Sequence, residues 1–143
     1  MLHAAAPWLA SQLPTAAAGL VPSVRHATVM GVFKAALGHG TAARLLVEEL
    51  TQAGLTASAL DVTAGVGADV NDSRAFTGAG VRDSQRGPLI LAINPDTALV
   101  ALAGRKSLLH GRPVIGNFMW ELETPPPGWQ RVNHALHDVW TCS

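Results

Sequence analysis

An open α/β fold of the Rossmann type, a parallel sheet with helices on both faces, follows from three observations. Short apolar runs recur along the 143-residue chain, helix-patterned stretches separate them, and turn-forming residues mark nearly every junction. Strands that alternate with single helices imply right-handed crossovers, and such crossovers build parallel sheets. The regular pattern occupies residues 27–143 and reads as one domain.

Ala27 to Phe33 (ATVMGVF) is apolar on both faces, as a central parallel strand must be. Gly38, His39 and Gly40 break the run, and Thr41 is placed to cap the helix that follows. In that helix Ala43, Leu46, Val47, Leu50 and Ala53 recur on one face, while Arg44, Glu48 and Gln52 fall elsewhere. Gly54 stands where a left-handed terminal residue is expected. A second strand runs from Thr56 to Val62. Residues 63–87, rich in Gly, Asp, Asn, Ser and Arg, read as an irregular excursion with a short strand near Ala79 to Val81.

Pro88 to Asn94 (PLILAIN) is a buried strand, and Asn94-Pro95-Asp96 turns it into a helix start, where proline loses no needed N–H. Asp96 to His110 reads as a helix that is apolar nearly all round, ended by Gly111. Pro113 to Phe118 is the next strand, and Thr124 followed by three prolines opens a helix with Trp129, Val132 and Leu136 on one face. Asp138 to Cys142 is a last strand. Residues 1–26 form a helical or irregular leader: Ala- and Leu-rich, broken by Pro7 and Pro14, with no Lys or Arg before Leu20 to make a secretory signal.

Composition narrows the function. Ten Lys+Arg balance ten Asp+Glu, which argues against affinity drawn from a basic field on nucleic acid or anionic lipid. One cysteine, Cys142, makes no internal disulfide and suits a reducing, cytoplasmic setting. No apolar run approaches the ~18 residues of a membrane span.

In parallel sheets ligands sit beyond the carboxyl ends of the strands. That rule points to Lys34–Gly40, Asn94–Asp96 and Trp120–Thr124. Gly38, His39 and Gly40 offer backbone N–H groups to an anion such as a diphosphate; the competing reading is a plain sharp turn. Ala43 stands where a dinucleotide fingerprint has its third glycine, and Asp61 ends the second strand only at approximate spacing, so a nicotinamide enzyme is the weaker alternative. No phosphate-loop lysine and no G-x-S-x-G elbow occurs. His134 and His137, three residues apart near Asp138 and Cys142, suit helix decoration better than a metal site. Trp120 and Glu121, directly after a strand, read either as an aromatic platform with a hydroxyl-binding carboxylate or as a core indole and a loop cap.

Residues 112–143, RPVIGNFMWELETPPPGWQRVNHALHDVWTCS, resemble a stretch of the group 1 glycosyltransferases of the GT-B fold. Ile115, Gly116, Trp120, Glu121, Pro127, Trp129, Asp138, Val139, Trp140 and Ser143 carry the likeness, with the proline-to-tryptophan spacing one residue short unless Pro126 is counted. Gly38, Gly40 and Arg44 resemble that family's G-x-G-x-x-x-R turn, and Asn94 an asparagine often found after the intervening strand. The resemblance implies a single GT-B-type half: the acceptor-side, N-terminal domain of a retaining enzyme that moves a sugar from a nucleotide-sugar to a hydroxyl, with no other cofactor and no essential metal. It places Gly38, His39 and Gly40 near the donor diphosphate and Asn94, Trp120 and Glu121 at the acceptor. The family's E-x7-E motif is absent: the residues eight after Glu48, Glu49, Glu121 and Glu123 are Thr56, Ala57, Trp129 and Arg131. The expectation is therefore a fragment, inactive without a donor-binding domain; the alternative is a degenerate, non-catalytic domain that works by protein–protein association.

Overall fold

The computed structural model describes residues 10–16, 18, 25–36, 38–70, 87–119 and 124–142. Five strands form one all-parallel sheet: β1 (His26–Gly31), β2 (Thr56–Asp61), β3 (Leu89–Ala92), β4 (Val114–Met119) and β5 (Asp138–Cys142). Their spatial order is β2-β1-β3-β4-β5. The chain runs outward from β1 to β2, returns across β1 to β3, and then proceeds the other way to β4 and β5. The direction of winding thus reverses between β1 and β3, the place where open α/β sheets leave a crevice.

Among the described residues, α1 (His39–Gln52) and α2 (Pro95–Ala103) flank the sheet. The central strands β1 and β3 are buried from both sides, as their unbroken apolar runs predict, whereas β2 is only partly covered and β5 is exposed. In β3, Ile90 and Ala92 join the cluster under α1, together with Val29, Phe33, Ala43 and Ala59. Leu89 and Leu91 join the opposite cluster with Met30, Val114 and the Ala98, Leu99, Ala101 and Leu102 face of α2. That face is wide, which explains why α2 reads as apolar nearly all round. Ala10 and Leu13 of the leader are buried in the same cluster.

Several expected boundaries move. β1 and β3 stop short of Phe33 and Asn94 because the ladder ends while burial continues: Val32, Phe33 and Ile93 stay buried beyond it. α2 ends at Ala103, with Gly104 and Arg105 departing from helical geometry before a 3-10 turn at Lys106–Leu109, so the expected helix to His110 is two pieces. The proline-led helix is a 3-10 helix, Trp129–Ala135, entered through Gly128 at φ 100°. Its buried residues, Val132 and Ala135, are three apart, the repeat of that helix type. The strand expected at residues 79–81 lies outside the described residues, as does most of the excursion; what is described begins with a 3-10 turn at Ala64–Val66.

A buried arginine that pattern reading passed over holds the amino-terminal side of the sheet. Arg112 Nε donates to the Gly87 carbonyl (2.7 Å), and Nη2 donates to Thr28 Oγ1 (2.8 Å) and to the Pro88 carbonyl (3.2 Å). Arg112, Thr28 and Gly87 are buried, so the Thr28 and Gly87 acceptors cannot turn to water instead. Replacing Arg112 by Met takes the donor from the Gly87 carbonyl and the Thr28 hydroxyl, while the Pro88 carbonyl keeps the Thr28 N–H (2.8 Å), and the expected loss is about 3 kcal/mol in urea unfolding. A change below about 1 kcal/mol means the network contributes little.

Candidate functional site

The carboxyl-end rim between β1 and β3 is assembled from two strand-to-helix turns. After β1, the Ala35 and Ala36 carbonyls and that of Phe33 converge on one guanidinium. Arg44, one turn into α1, donates through Nη1 to the Phe33 carbonyl (2.5 Å) and the Ala35 carbonyl (2.9 Å). Its Nη2 reaches the Ala36 carbonyl (3.4 Å) and Thr41 Oγ1 (3.0 Å). Thr41 is therefore not the cap of α1. It lies in the first turn and donates to the Ala36 carbonyl (3.2 Å), while Gly38 takes the N-cap position with no side-chain capping bond.

The two glycines of this turn are needed for different reasons. Gly38 adopts φ 60°, ψ −120°, a conformation that L residues rarely enter, and a Cβ there would meet nothing within 4 Å. Gly40 is buried, and a Cβ on it would lie 2.1 Å from the Ala35 carbonyl oxygen and 2.9 Å from that of Val32. Gly40 is thus a packing requirement between α1 and the preceding loop, whereas Gly38 borders open space. The N–H groups of His39, Gly40 and Thr41 begin the helix, and the Ala42 N–H is the first to close an intrahelical bond, onto the Gly38 carbonyl at 3.0 Å. No acidic residue sits in this first turn, so its positive end has no counter-charge of its own.

The second turn follows β3. Asn94 is the N-cap of α2 with extended backbone, Pro95 opens the helix, and Asp96 stands in its first turn, where a carboxylate complements the helix dipole. Asn94 Oδ1 accepts the Met119 N–H at 3.3 Å. Its carbonyl oxygen thus ties the start of α2 to the last residue of β4, immediately before Trp120 in the chain. Trp120 and Glu121 lie outside the described residues.

His39 belongs to both turns. It is the first residue of α1, half-buried, and it feels the Asp96 carboxylate across the rim. Burial lowers its pKa below the ordinary 6.5, and Asp96 opposes part of that shift. The imidazole is accordingly neutral at pH 7, with one nitrogen able to accept a proton.

A third part of the rim, at the end of β2, was legible only as a stray acid. Asp61 Oδ1 accepts the Thr63 N–H (3.1 Å) and the Thr63 hydroxyl, and Asp61 Oδ2 lies 3.5 Å from Lys34 Nζ. Thr63 Oγ1 in turn accepts the Lys34 N–H at 3.2 Å. The Asp-x-Thr turn signal was present in the sequence, but its link to Lys34 spans strands. With both its oxygens engaged by neighbouring residues, Asp61 is already committed as a structural tie.

The histidine pair near the C-terminus divides its contacts among backbone groups. His137 Nδ1 accepts the Val114 N–H (3.0 Å), while His134 Nδ1 lies 2.9 Å from the Arg131 carbonyl and Nε2 3.3 Å from the Leu13 carbonyl. Among the described residues no group of three or more metal-binding side chains occurs. Among the same residues no helix is long and apolar enough to cross a membrane. No family model, curated protein or solved structure matches this chain.

The unequal glycines give the first test of this geometry. Gly38→Ala is expected to cost about 1 kcal/mol through backbone strain, and Gly40→Ala about 3 kcal/mol through the carbonyl clash. Equal midpoints in urea for the two variants contradict the assigned packing. His39 gives the second. Because its folded pKa is depressed, the unfolded chain takes up the proton first, so its contribution to stability is complete above pH 6.5 and falls as pH drops through the folded value. An NMR titration should place its midpoint below 6.5, and Asp96→Asn should lower it further; a midpoint at or above 6.5 contradicts the burial.

Proposed function

We propose that this chain is the acceptor-side domain of a nucleotide-sugar-dependent glycosyltransferase, with the donor nucleotide held by a separate donor-binding domain. The observation that carries the reading is the convergence of the two turns at the reversal of winding. The Gly38-His39-Gly40 start of α1 and the Asn94 cap of α2 stand at the ends of hydrogen-bonded neighbours, β1 and β3. This is where a ligand binds in an open parallel sheet. The family likeness of Gly38, Gly40, Arg44, Asn94 and residues 112–143 supplies the class of chemistry.

In sugar transfer the bond from the anomeric carbon to the diphosphate oxygen breaks and its electron pair leaves with the diphosphate, while the acceptor oxygen bonds to that carbon and its proton passes to the departing diphosphate. The departing group gains negative charge. Preformed N–H groups at the start of α1, free of a competing carboxylate in the same turn, would stabilise it without reorganising. Arg44 supports this by neutralising the three carbonyls that would otherwise face an anion. On the acceptor side Asn94 keeps its amide near the end of β4 through the Met119 bond, and the resemblance assigns hydroxyl recognition to Asn94, Trp120 and Glu121.

Titration with uridine or guanosine diphosphate sugars tests this reading. Amide resonances of Gly38, His39 and Gly40 should move in a saturable way, and inorganic pyrophosphate should compete for the same sites. Gly38→Val, which distorts the turn where a Cβ meets nothing within 4 Å, should weaken the response while the fold persists. Unmoved resonances at millimolar nucleotide-sugar leave the turn as a plain strand-to-helix connection.

A further inference from the structure

We propose that two copies of this chain pair through their β5 strands, joining the sheets edge to edge across a two-fold axis. Among the described residues β5 is the end strand of the sheet, hydrogen-bonded there to β4, and an end strand presents an outer row of N–H and C=O groups to which another strand can add. Four large apolar side chains are exposed among the described residues: Leu45 (52%), Val70 (58%), Val139 (39%) and Trp140 (41%). Two of the four are neighbours on this one edge, one on each face of the sheet.

The usual protections of an edge are missing. Asp-Val-Trp-Thr-Cys contains no Lys, Arg, Pro or Gly, the residues that keep strand edges from pairing. Its single charge is turned inward upon the strand: Asp138 Oδ1 accepts the Val139 N–H (2.8 Å) and Oδ2 accepts the Trp140 indole N–H (3.1 Å). The chain as a whole is formally neutral, so two copies approach without net repulsion.

The strand pattern selects a second copy over an unlike partner. β5 is self-complementary about Trp140, with a β-branched residue on each side. An antiparallel pair centred there sets Trp140 against its own mate and Val139 against Thr141, and keeps the two Asp138 carboxylates at opposite ends. Aromatic and β-branched cross-strand pairs are the favourable ones. In the register of β4 with β5, Trp140 lies beside Asn117, on the face that Ile115 turns toward α1. Paired indoles would cover the sheet beside Asn117, to the side of β1, β2 and β3, on which α1 chiefly packs. This proposal stands apart from the sugar-transfer reading.

Sedimentation velocity from micromolar to millimolar concentration should show a monomer–dimer equilibrium. Trp140→Lys and Val139→Lys, at exposed positions, should each raise the dissociation constant at least about tenfold with circular dichroism unchanged. In a Cys142→Ser background, Trp140→Cys should cross-link to itself under mild oxidation, whereas Thr141→Cys, opposite Val139 in the pair, should not. A monomer at every concentration overturns the proposal, as does a dimer that survives both lysine variants. Equal cross-linking by the two cysteine variants overturns the register.

Discussion

Beyond the end of β1, three backbone carbonyls point into one small volume, and a single guanidinium from the next helix satisfies them. Carbonyl dipoles crowded in this way repel one another and would be costly to leave without donors. Arg44 resolves the conflict with four hydrogen bonds counting the one to Thr41, and so fixes the path of the loop into α1. Gly40 is then pressed against the Ala35 carbonyl, and Gly38 is left at the open side with a positive φ that L residues rarely adopt. The orientation of the N–H groups at the start of α1 depends on that clamp, and the proposed anion cradle depends on their orientation.

The second turn is built by a different device. α2 starts on proline and carries its own carboxylate, Asp96, so its positive end is already compensated. Asn94 uses its side-chain oxygen outward, on the backbone of β4, in place of capping its own helix. One rim therefore holds one helix start without a carboxylate in its first turn and one compensated by Asp96, with His39 between them kept neutral by burial despite the carboxylate. The proposed transfer would set the anionic donor end against the start of α1 and the hydroxylated acceptor end against Asn94.

The sheet is covered unequally. On one face the clusters around α2, the leader residues Ala10 and Leu13, and the 3-10 helix at Trp129–Ala135 extend from β1 to β4. On the other, α1 covers β1, β2 and β3, and β5 remains exposed. The asymmetry follows from winding: right-handed crossovers put α2 and the 3-10 helix at Trp129–Ala135, which follow β3 and β4, on one side and α1, which follows β1, on the other.

Element type and order were readable from residues alone because they rest on local chemistry. Unbroken apolar runs marked buried strands, Asn94-Pro95-Asp96 marked a helix start, Gly54 marked a helix end with φ 86°, and β5 was bounded as observed. Thr41 misled because a threonine before a helical pattern reads as a cap, whereas the partner it meets, Ala36, belongs to a loop bent back by Arg44. The family likeness of Gly38, Gly40 and Arg44 was visible as spacing; that Gly40 answers to packing and Gly38 to backbone conformation was not. Those distinctions, the adjacency of β1 and β3, the Asn94 bond to Met119 and the Arg112 network all join residues far apart in the chain. Their geometry is set when the sheet closes, since hydrogen bonds and burial between distant segments leave no periodic trace in the sequence, and only the tertiary structure decides them.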